Sequence, residues 1–236
     1  MLSIVIPTLN EENYLPRLLN CLKKQKFKDY EIIVADADSK DKTREIAKSF
    51  GCRVVKGGLP SAGKNAGARI SKGNLILFLD ADVLLPDNFF ENTLKEFKER
   101  KLCITTFCLV PISKSRIPKI LFNILYNYPL RIFEKRWAHG AMGILVKKGL
   151  HKSLKGFDEE IKIGEDHYYA QQGLKFGKFG MIKSTKIFMS LRRFQTQGPI
   201  KTLLKYGLVE IYMKFFGPVR KDIFEYRFDY PKNKII

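Results

Sequence analysis

Along the N-terminal part of the chain, short apolar runs alternate with stretches whose apolar residues recur every three or four positions. Leu2 to Ile6, Glu31 to Ala35, Arg53 to Lys56 and Leu75 to Leu79 have strand length and are bounded by turn-forming residues. Between them, Glu12 to Lys26 carries Leu15, Leu18, Leu19 and Leu22 on one helical stripe, with Asn10 placed to cap it. Lys42 to Phe50 reads as a helix closed by Gly51, Ser61 to Ser71 as a helix of small residues, and Asn88 to Lys101 as another. Strand and helix in this rhythm predict a Rossmann-like α/β fold, with a mostly parallel central sheet flanked by helices.

The rhythm changes after Leu102. Cys103 to Val110 and Ala141 to Val146 remain strand candidates, and Tyr168 to Gly173 a short helix. Pro118 to Tyr128 is apolar at Ile120, Leu121, Ile124, Leu125 and Tyr128, and basic residues such as Lys119 and Arg131 edge it. Lys201 to Phe216 groups Leu204, Leu208, Ile211, Tyr212 and Phe215 on one face, away from Lys201, Lys205 and Lys214. Such helices suit a membrane interface, and equally a packed core face. The simplest division is a catalytic domain over residues 1–185 and a basic, amphipathic helical extension over 186–236, packed on that domain or at a membrane surface.

Charge narrows the partners. The 236 residues carry a formal net charge of +19, which points to an anionic partner: phosphate-bearing substrates, a membrane surface or nucleic acid. The four cysteines, Cys21, Cys52, Cys103 and Cys108, lack zinc-like pairing and read as reduced thiols. The N-terminus lacks the basic start of a signal peptide, and no apolar run approaches the ~20 residues of a spanning helix. A cytoplasmic location is expected, peripheral on the cytoplasmic membrane face if the helices bind lipid.

The candidate chemistry gathers at strand ends. The Leu75 run ends in Asp80-Ala81-Asp82, where open α/β sheets bind ligands, and alternation puts both carboxylates on one side. Paired carboxylates suit Mg²⁺ or a similar hard cation beside substrate phosphates. Taken alone, the pair also fits two solvated acids leaving a strand. Pro7-Thr8-Leu9-Asn10-Glu11 and Asp36-Ala37-Asp38 exit neighbouring strands toward the same edge. The glycine-rich segment Gly57 to Gly67 matches neither a P-loop nor a dinucleotide fingerprint, yet its amides and Lys64 can approach a nucleotide. Glu165 and Asp166 open a short helix, which capping electrostatics alone would explain.

Together these segments resemble the family-2 glycosyltransferases, inverting nucleotide-sugar-dependent enzymes of the A-type fold that include dolichyl-phosphate-sugar-synthase-like relatives. The resemblance runs from Ser3-Ile4-Val5-Ile6-Pro7-Thr8-Leu9-Asn10-Glu11 through Asp36, Ser39 to Thr43, Asn65-Ala66-Gly67 and Asp80-Ala81-Asp82. It continues to His139-Gly140-Ala141, Gly156-Phe157-Asp158 and Glu165-Asp166, covering roughly residues 2 to 173. It implies that Pro7, Thr8, Glu11, Asp36, Asp38, Lys64 and Asn65 serve the nucleotide. Asp80 then faces ribose or metal, and Asp82 holds Mn²⁺ or Mg²⁺ on the diphosphate. Asp166 matches the general base, with Glu165 beside it. Arg192, Arg193 and His139 fall to the diphosphate or the acceptor, which is a saccharide, a polyprenyl phosphate or another lipid-linked molecule.

The chain departs from the family in two places. The Gln-x-x-Arg-Trp signature of processive synthases is missing, and Leu84 offers no further metal ligand after the acidic pair. His139 and His167 read as orienting histidines rather than ligands, His151 as a surface residue, and Trp137 as packing. Two other functions remain in view. A nucleotidyltransferase would need an arginine-containing glycine loop after the first strand, which is missing. A non-enzymatic nucleic-acid binder would leave the acidic strand ends unexplained, so nucleic acid is not the expected partner.

Overall fold

The computed structural model describes residues 1–224; residues 225–236, the end of the C-terminal extension, lie outside the described residues. The N-terminal alternation becomes β1 (Leu2–Thr8), α1 (Leu15–Lys24), β2 (Tyr30–Asp36), α2 (Thr43–Ser49), β3 (Arg53–Lys56), α3 (Pro60–Ile70) and β4 (Leu75–Leu79). A short β5 (Val83–Leu84), α4 (Phe89–Glu99) and β6 (Ile104–Pro111) follow. Next come α5 (Ile117–Phe122), a π turn (Asn123–Asn127), α6 (Tyr128–Phe133), β7 (Gly143–Lys147) and α7 (Lys148–Ser153). The described chain closes with α8 (Glu165–Phe176), β8 (Phe179–Met189), α9 (Arg192–Gln197) and α10 (Pro199–Phe216). Among the described residues one sheet forms, in the order β3-β2-β1-β4-β7-β6-β8-β5. Only β7 and β5 run against their neighbours, so the mostly parallel sheet expected from the sequence is present.

Two apolar layers sandwich the sheet, and strand alternation assigns residues to them. Leu2, Ile4 and Ile6 of β1 and Leu77 and Leu79 of β4 join α1 and α4 on one face. Val5, Ile76 and Phe78 join α3 and α8 on the other. β4 reads as an unbroken apolar run because both its faces are covered. Ala81 continues the α1/α4 face and is buried there. The alternation therefore turns Asp80 and Asp82 off that face: Asp80 lies near Lys64 of α3, and Asp82 meets Arg192 of α9. Helix α3 lies close to the sheet because it is built of small residues: a Cβ on Gly67 would come within 2.3 Å of Val5 Cγ1.

Several local expectations differ from what is observed. Asn10 does not cap α1, which begins at Leu15 without a side-chain cap. It sits at φ +55° and joins two loops instead: its N–H donates to Ser39 Oγ, and its Oδ1 accepts from the Lys40 N–H. The helix expected over 118–128 is interrupted by the π turn, where the Tyr128 N–H reaches back to the Asn123 carbonyl. Pro129 can supply no N–H to continue the regular ladder. The π turn directs Asn127 inward, where its amide bonds both the N–H and the carbonyl of Leu109.

Strand β8, which runs past residue 185 to Met189, has no counterpart among the elements expected from the sequence. Its pairing with β6 slips between Phe107 and Cys108, looping out Lys183 to Thr185 and breaking the alternation. Glu96 of α4 accepts the stranded N–H groups of Lys183 and Ser184. His151 is buried, not on the surface, with its Nδ1 2.7 Å from the Tyr169 hydroxyl.

Candidate active site

A cavity of about 630 Å³ lies over the C-terminal ends of β1 and β4. Pro7, Thr8 and Glu11 line it from the first strand exit, and Asp80 and Asp82 from the fourth. Glu165 and Asp166 enter from the start of α8, His139 from the loop before β7, and Arg192 and Arg193 from α9. Residues far apart in sequence therefore share one wall. Asp36, Asp38, Lys64 and Asn65 do not line it.

Asp36 is buried beneath the wall and accepts from the Thr8 hydroxyl at 3.0 Å and the Ser39 hydroxyl at 2.5 Å. It acts on the cavity through Thr8. Asp38 is exposed and ion-paired with Lys40 at 2.7 Å, a contact that lowers its pKa. Asn65 clamps the chain before α8, donating to the Phe157 carbonyl at 2.9 Å and accepting its N–H at 2.8 Å.

Lys64 departs furthest from the nucleotide role. Its side chain is 2% exposed and turns away from solvent, and its Nζ bonds Asp166 and lies 3.3 Å from Glu165 Oε1. The Phe157 ring stands 5.1 Å below the ammonium. Burial disfavours that charge, but Asp166, Glu165 and Asp80 more than compensate, and the Lys64 pKa rises. Glycine spacing in the sequence does not reveal that α8 packs against α3. Once it does, the long side chain has an acidic interior to reach.

One lysine does not neutralise three carboxylates. Burial, opposed by Lys64 and reinforced by Glu165 and Asp80, pushes Asp166 up to about 7. Burial likewise raises Asp80; Lys64 opposes it, and Asp82 and Glu165 add to it. A carboxyl titrating near neutrality is suited to accept a proton from a substrate hydroxyl.

Arg192 organises the other end of the wall. Its guanidinium contacts Glu11 at 2.5 and 2.8 Å and Asp82 Oδ2 at 2.9 Å, and lies 4.6 Å from the centre of the Tyr14 ring. Burial nevertheless pushes Glu11 up to about 7. Arg193 donates to the Tyr206 hydroxyl of α10 at 2.6 Å. The Asp80 and Asp82 carboxylates offer an all-oxygen, anionic donor set of the kind a hard divalent cation takes. A cation has already been drawn to this corner in the form of Arg192.

A third cluster has no counterpart among the groupings expected from the sequence. Glu210 of α10 meets both His139 and His167, and it is the sole carboxylate within residues 199–216. An isolated acid in so apolar a helix was the available signal. Trp137 lines the cavity and sets its ring edge-on to both histidines.

A Rossmann-like sheet with carboxylates at its strand ends and at a nearby helix start agrees with the A-type glycosyltransferase fold. Residues 3–145 match the model of glycosyl transferase family 2, and the chain belongs to that family. Minor teichoic acid biosynthesis protein GgaB of Bacillus subtilis (strain 168) is 27% identical over 208 residues, which are 80% of this chain and 23% of that protein. Uncharacterized glycosyltransferase EpsJ of the same organism is 26% identical over 185 residues, 70% of this chain and 54% of its own. The chain thus spans only part of the length of these relatives. S. aureus TarS 1–349 in complex with UDP superposes with a TM-score of 0.65 at 20% identity, covering 89% of this chain and 65% of that one. Mannosyltransferase PcManGT from Pyrobaculum calidifontis, in complex with GDP-Man and Mn²⁺, gives 0.71 at 18% identity, covering 90% and 63%. At such identities these two likenesses establish the fold.

Lys64→Met leaves three partly buried carboxylates without their buried counter-charge. The expected loss is roughly 3–5 kcal/mol of unfolding free energy. Asp166 and Asp80 titrate higher when folded than unfolded, so their protonated forms favour the native state. The deficit is therefore smaller near about pH 5 than near about pH 8. Urea denaturation at both values checks this, and a pH-independent deficit contradicts the charge account.

Proposed function

We propose that the chain transfers a sugar from a nucleotide diphosphate sugar to a lipid-linked acceptor, with inversion at the anomeric carbon. One observation carries this reading: Asp80, Asp82 and Asp166 share a cavity that is also lined by apolar residues of α5, the π turn and α10. Pro7, Thr8 and Glu11 bind the nucleoside side of the donor, and Asp82 with Asp80 holds Mn²⁺ or Mg²⁺ at the diphosphate. Bound there, the ion neutralises charge developing on the leaving phosphate. Relatives of the same fold crystallised with UDP, or with GDP-Man and Mn²⁺, support the donor class.

Asp166 accepts the proton of the attacking acceptor hydroxyl. The hydroxyl oxygen bonds to the anomeric carbon as the nucleoside diphosphate leaves from the opposite face, so one displacement inverts the centre. Lys64 holds the Asp166 carboxylate in place, and Arg192 and Arg193 supply positive charge to the departing diphosphate. An acceptor that attacks through an ionised phosphate would need no base.

The acceptor assignment rests on α5, the π turn and α10. Leu121, Phe122, Leu125, Leu203, Tyr206 and Gly207 of these segments line the cavity. Outside it, Ile117, Ile120, Ile124, Leu204, Leu208 and Phe215 are exposed. No described helix is long and apolar enough to cross a membrane. Apolar faces edged by lysine and arginine, on a chain of net charge +19, suit adsorption to an anionic bilayer. A polyprenyl chain then passes from lipid into the gap between the helices with little exposure to water.

Asp166→Asn is expected to lower kcat by about 10²–10⁴-fold. The wild-type rate should rise with pH through about 7, as Asp166 loses its proton. Near-normal turnover in the variant removes the general-base role. In a thermal-shift panel of UDP-, GDP- and dTDP-sugars, one donor class should stabilise the protein more with Mn²⁺ than without; no stabilisation by any of them overturns the donor assignment. The protein should sediment with phosphatidylglycerol vesicles and less so as salt rises, whereas Leu204→Glu/Leu208→Glu should stay in solution. Equal binding to neutral vesicles, or full binding by the double variant, contradicts the membrane reading.

A further inference from the structure

His139, His167 and Glu210 come from three separate elements: the loop before β7, the first turn of α8 and the middle of α10. Glu210 Oε1 lies 3.1 Å from His139 Nε2 and 2.6 Å from His167 Nδ1. All three donor atoms fall within 4.8 Å of one another. The imidazoles lie nearly face to face, with centroids 4.3 Å apart and planes inclined by 34°. The main chain is shaped for this approach, since a Cβ on Gly140 would stand 2.6 Å from the Asp166 carbonyl oxygen. Only glycine lets the His139 loop sit so close to the start of α8.

The protonation pattern is strained. Burial works to raise the Glu210 pKa, yet hydrogen bonds from His139 and His167 hold it down at about 2. The ionised carboxylate thus draws one N–H from each ring to a single oxygen. The second nitrogen of His139, Nδ1, is buried with no hydrogen-bond partner. The second nitrogen of His167, Nε2, meets the Gln171 amide at 2.6 Å.

We propose that His139, His167 and Glu210 form a binding site for a zinc-type first-row divalent ion, separate from the Asp80/Asp82 corner. Two imidazoles and one carboxylate are a ligand set such ions favour, and imidazole suits them better than Mg²⁺. The ion replaces the two ring protons that now face Oε1, and each imidazole shifts to its other neutral tautomer. His167 then presents Nε2–H to Gln171, whose amide turns its oxygen to accept it; such a partner fixes the orientation of a ligand histidine. His139 Nδ1 lacks a partner in either tautomer, so the exchange adds no new unpaired group there. All three residues line the cavity, which leaves a fourth coordination position open to it. Occupied, the site ties α10 to α8 across the acceptor side. An oxygen ligand of the acceptor, a phosphate or a hydroxyl, is the kind of group that completes it.

Co²⁺ titrated into the metal-free full chain tests this without any turnover. One equivalent should give the intense visible absorption of a low-coordinate nitrogen–oxygen site, be displaced by Zn²⁺, and persist in Asp82→Asn. His139→Gln and Glu210→Gln, on different elements, should each lose the band while keeping the wild-type circular dichroism, and Gln171→Leu should weaken binding by about 10–100-fold. No band in the wild type overturns the proposal. So does a band that survives both ligand substitutions, or one that disappears in Asp82→Asn. The donor reading is untouched by any of these outcomes, because nucleotide stabilisation by Mn²⁺ is measured separately.

Discussion

The buried ammonium of Lys64 is the contact on which the rest of the site depends. A lysine this enclosed is tolerated only when paired, and its partners come from β4 and α8. Helix α3 can deliver it because Gly67 and its small neighbours let the helix lie against Val5. One ion cluster therefore joins the N-terminal parallel strands, which carry the proposed donor end, to the later segment that carries Asp166. A strand exit and a helix start separated by much of the chain are held within one electrostatic neighbourhood.

That neighbourhood is divided between two cations. Lys64 is locked inside and never meets the cavity, so it sets the proton affinity of Asp166 and Asp80 without competing for ligands. Arg192 is at the cavity wall and binds Asp82 and Glu11 directly. The guanidinium is a rigid fork matched to carboxylate or phosphate, so it can exchange carboxylates for diphosphate oxygens without leaving the corner. The inner cation fixes geometry, and the outer one stands at the cavity, where the proposed donor would meet it.

The donor half was the more legible in sequence, for reasons of topology. In a parallel sheet the strand exits share one edge, so reading β1, β2 and β4 from their apolar runs already brought Pro7, Thr8, Asp36, Asp80 and Asp82 together. Alternation also puts Asp80 and Asp82 on one side, with Ala81 on the other, where it is buried. What stayed hidden required knowledge of packing between distant segments. Lys64 reads from the sequence as a nucleotide contact, and only the packing of α8 against α3 shows it turned inward. Asn65 looked like a nucleotide contact until the Phe157 loop was placed beside it. β8 was obscured because the bulge at Lys183 to Thr185 breaks the alternation by which strands are recognised.

Helix α10 shows why the acceptor half resists such reading. Its amphipathic pattern fits a helix that buries its apolar side, yet Leu204, Leu208, Ile211 and Phe215 are exposed. The buried residues are Thr202, Val209 and Met213, on the side that also points Glu210 at the two histidines. An apolar face turned to water carries a hydration penalty that packing inward would remove. It is retained here because the opposite side is committed to the cavity: turning α10 about its axis to bury the leucines would break the Glu210 contacts and open the wall formed by Leu203, Tyr206 and Gly207. The helix is fixed from within by its one acid, and its aliphatic side chains are left facing outward.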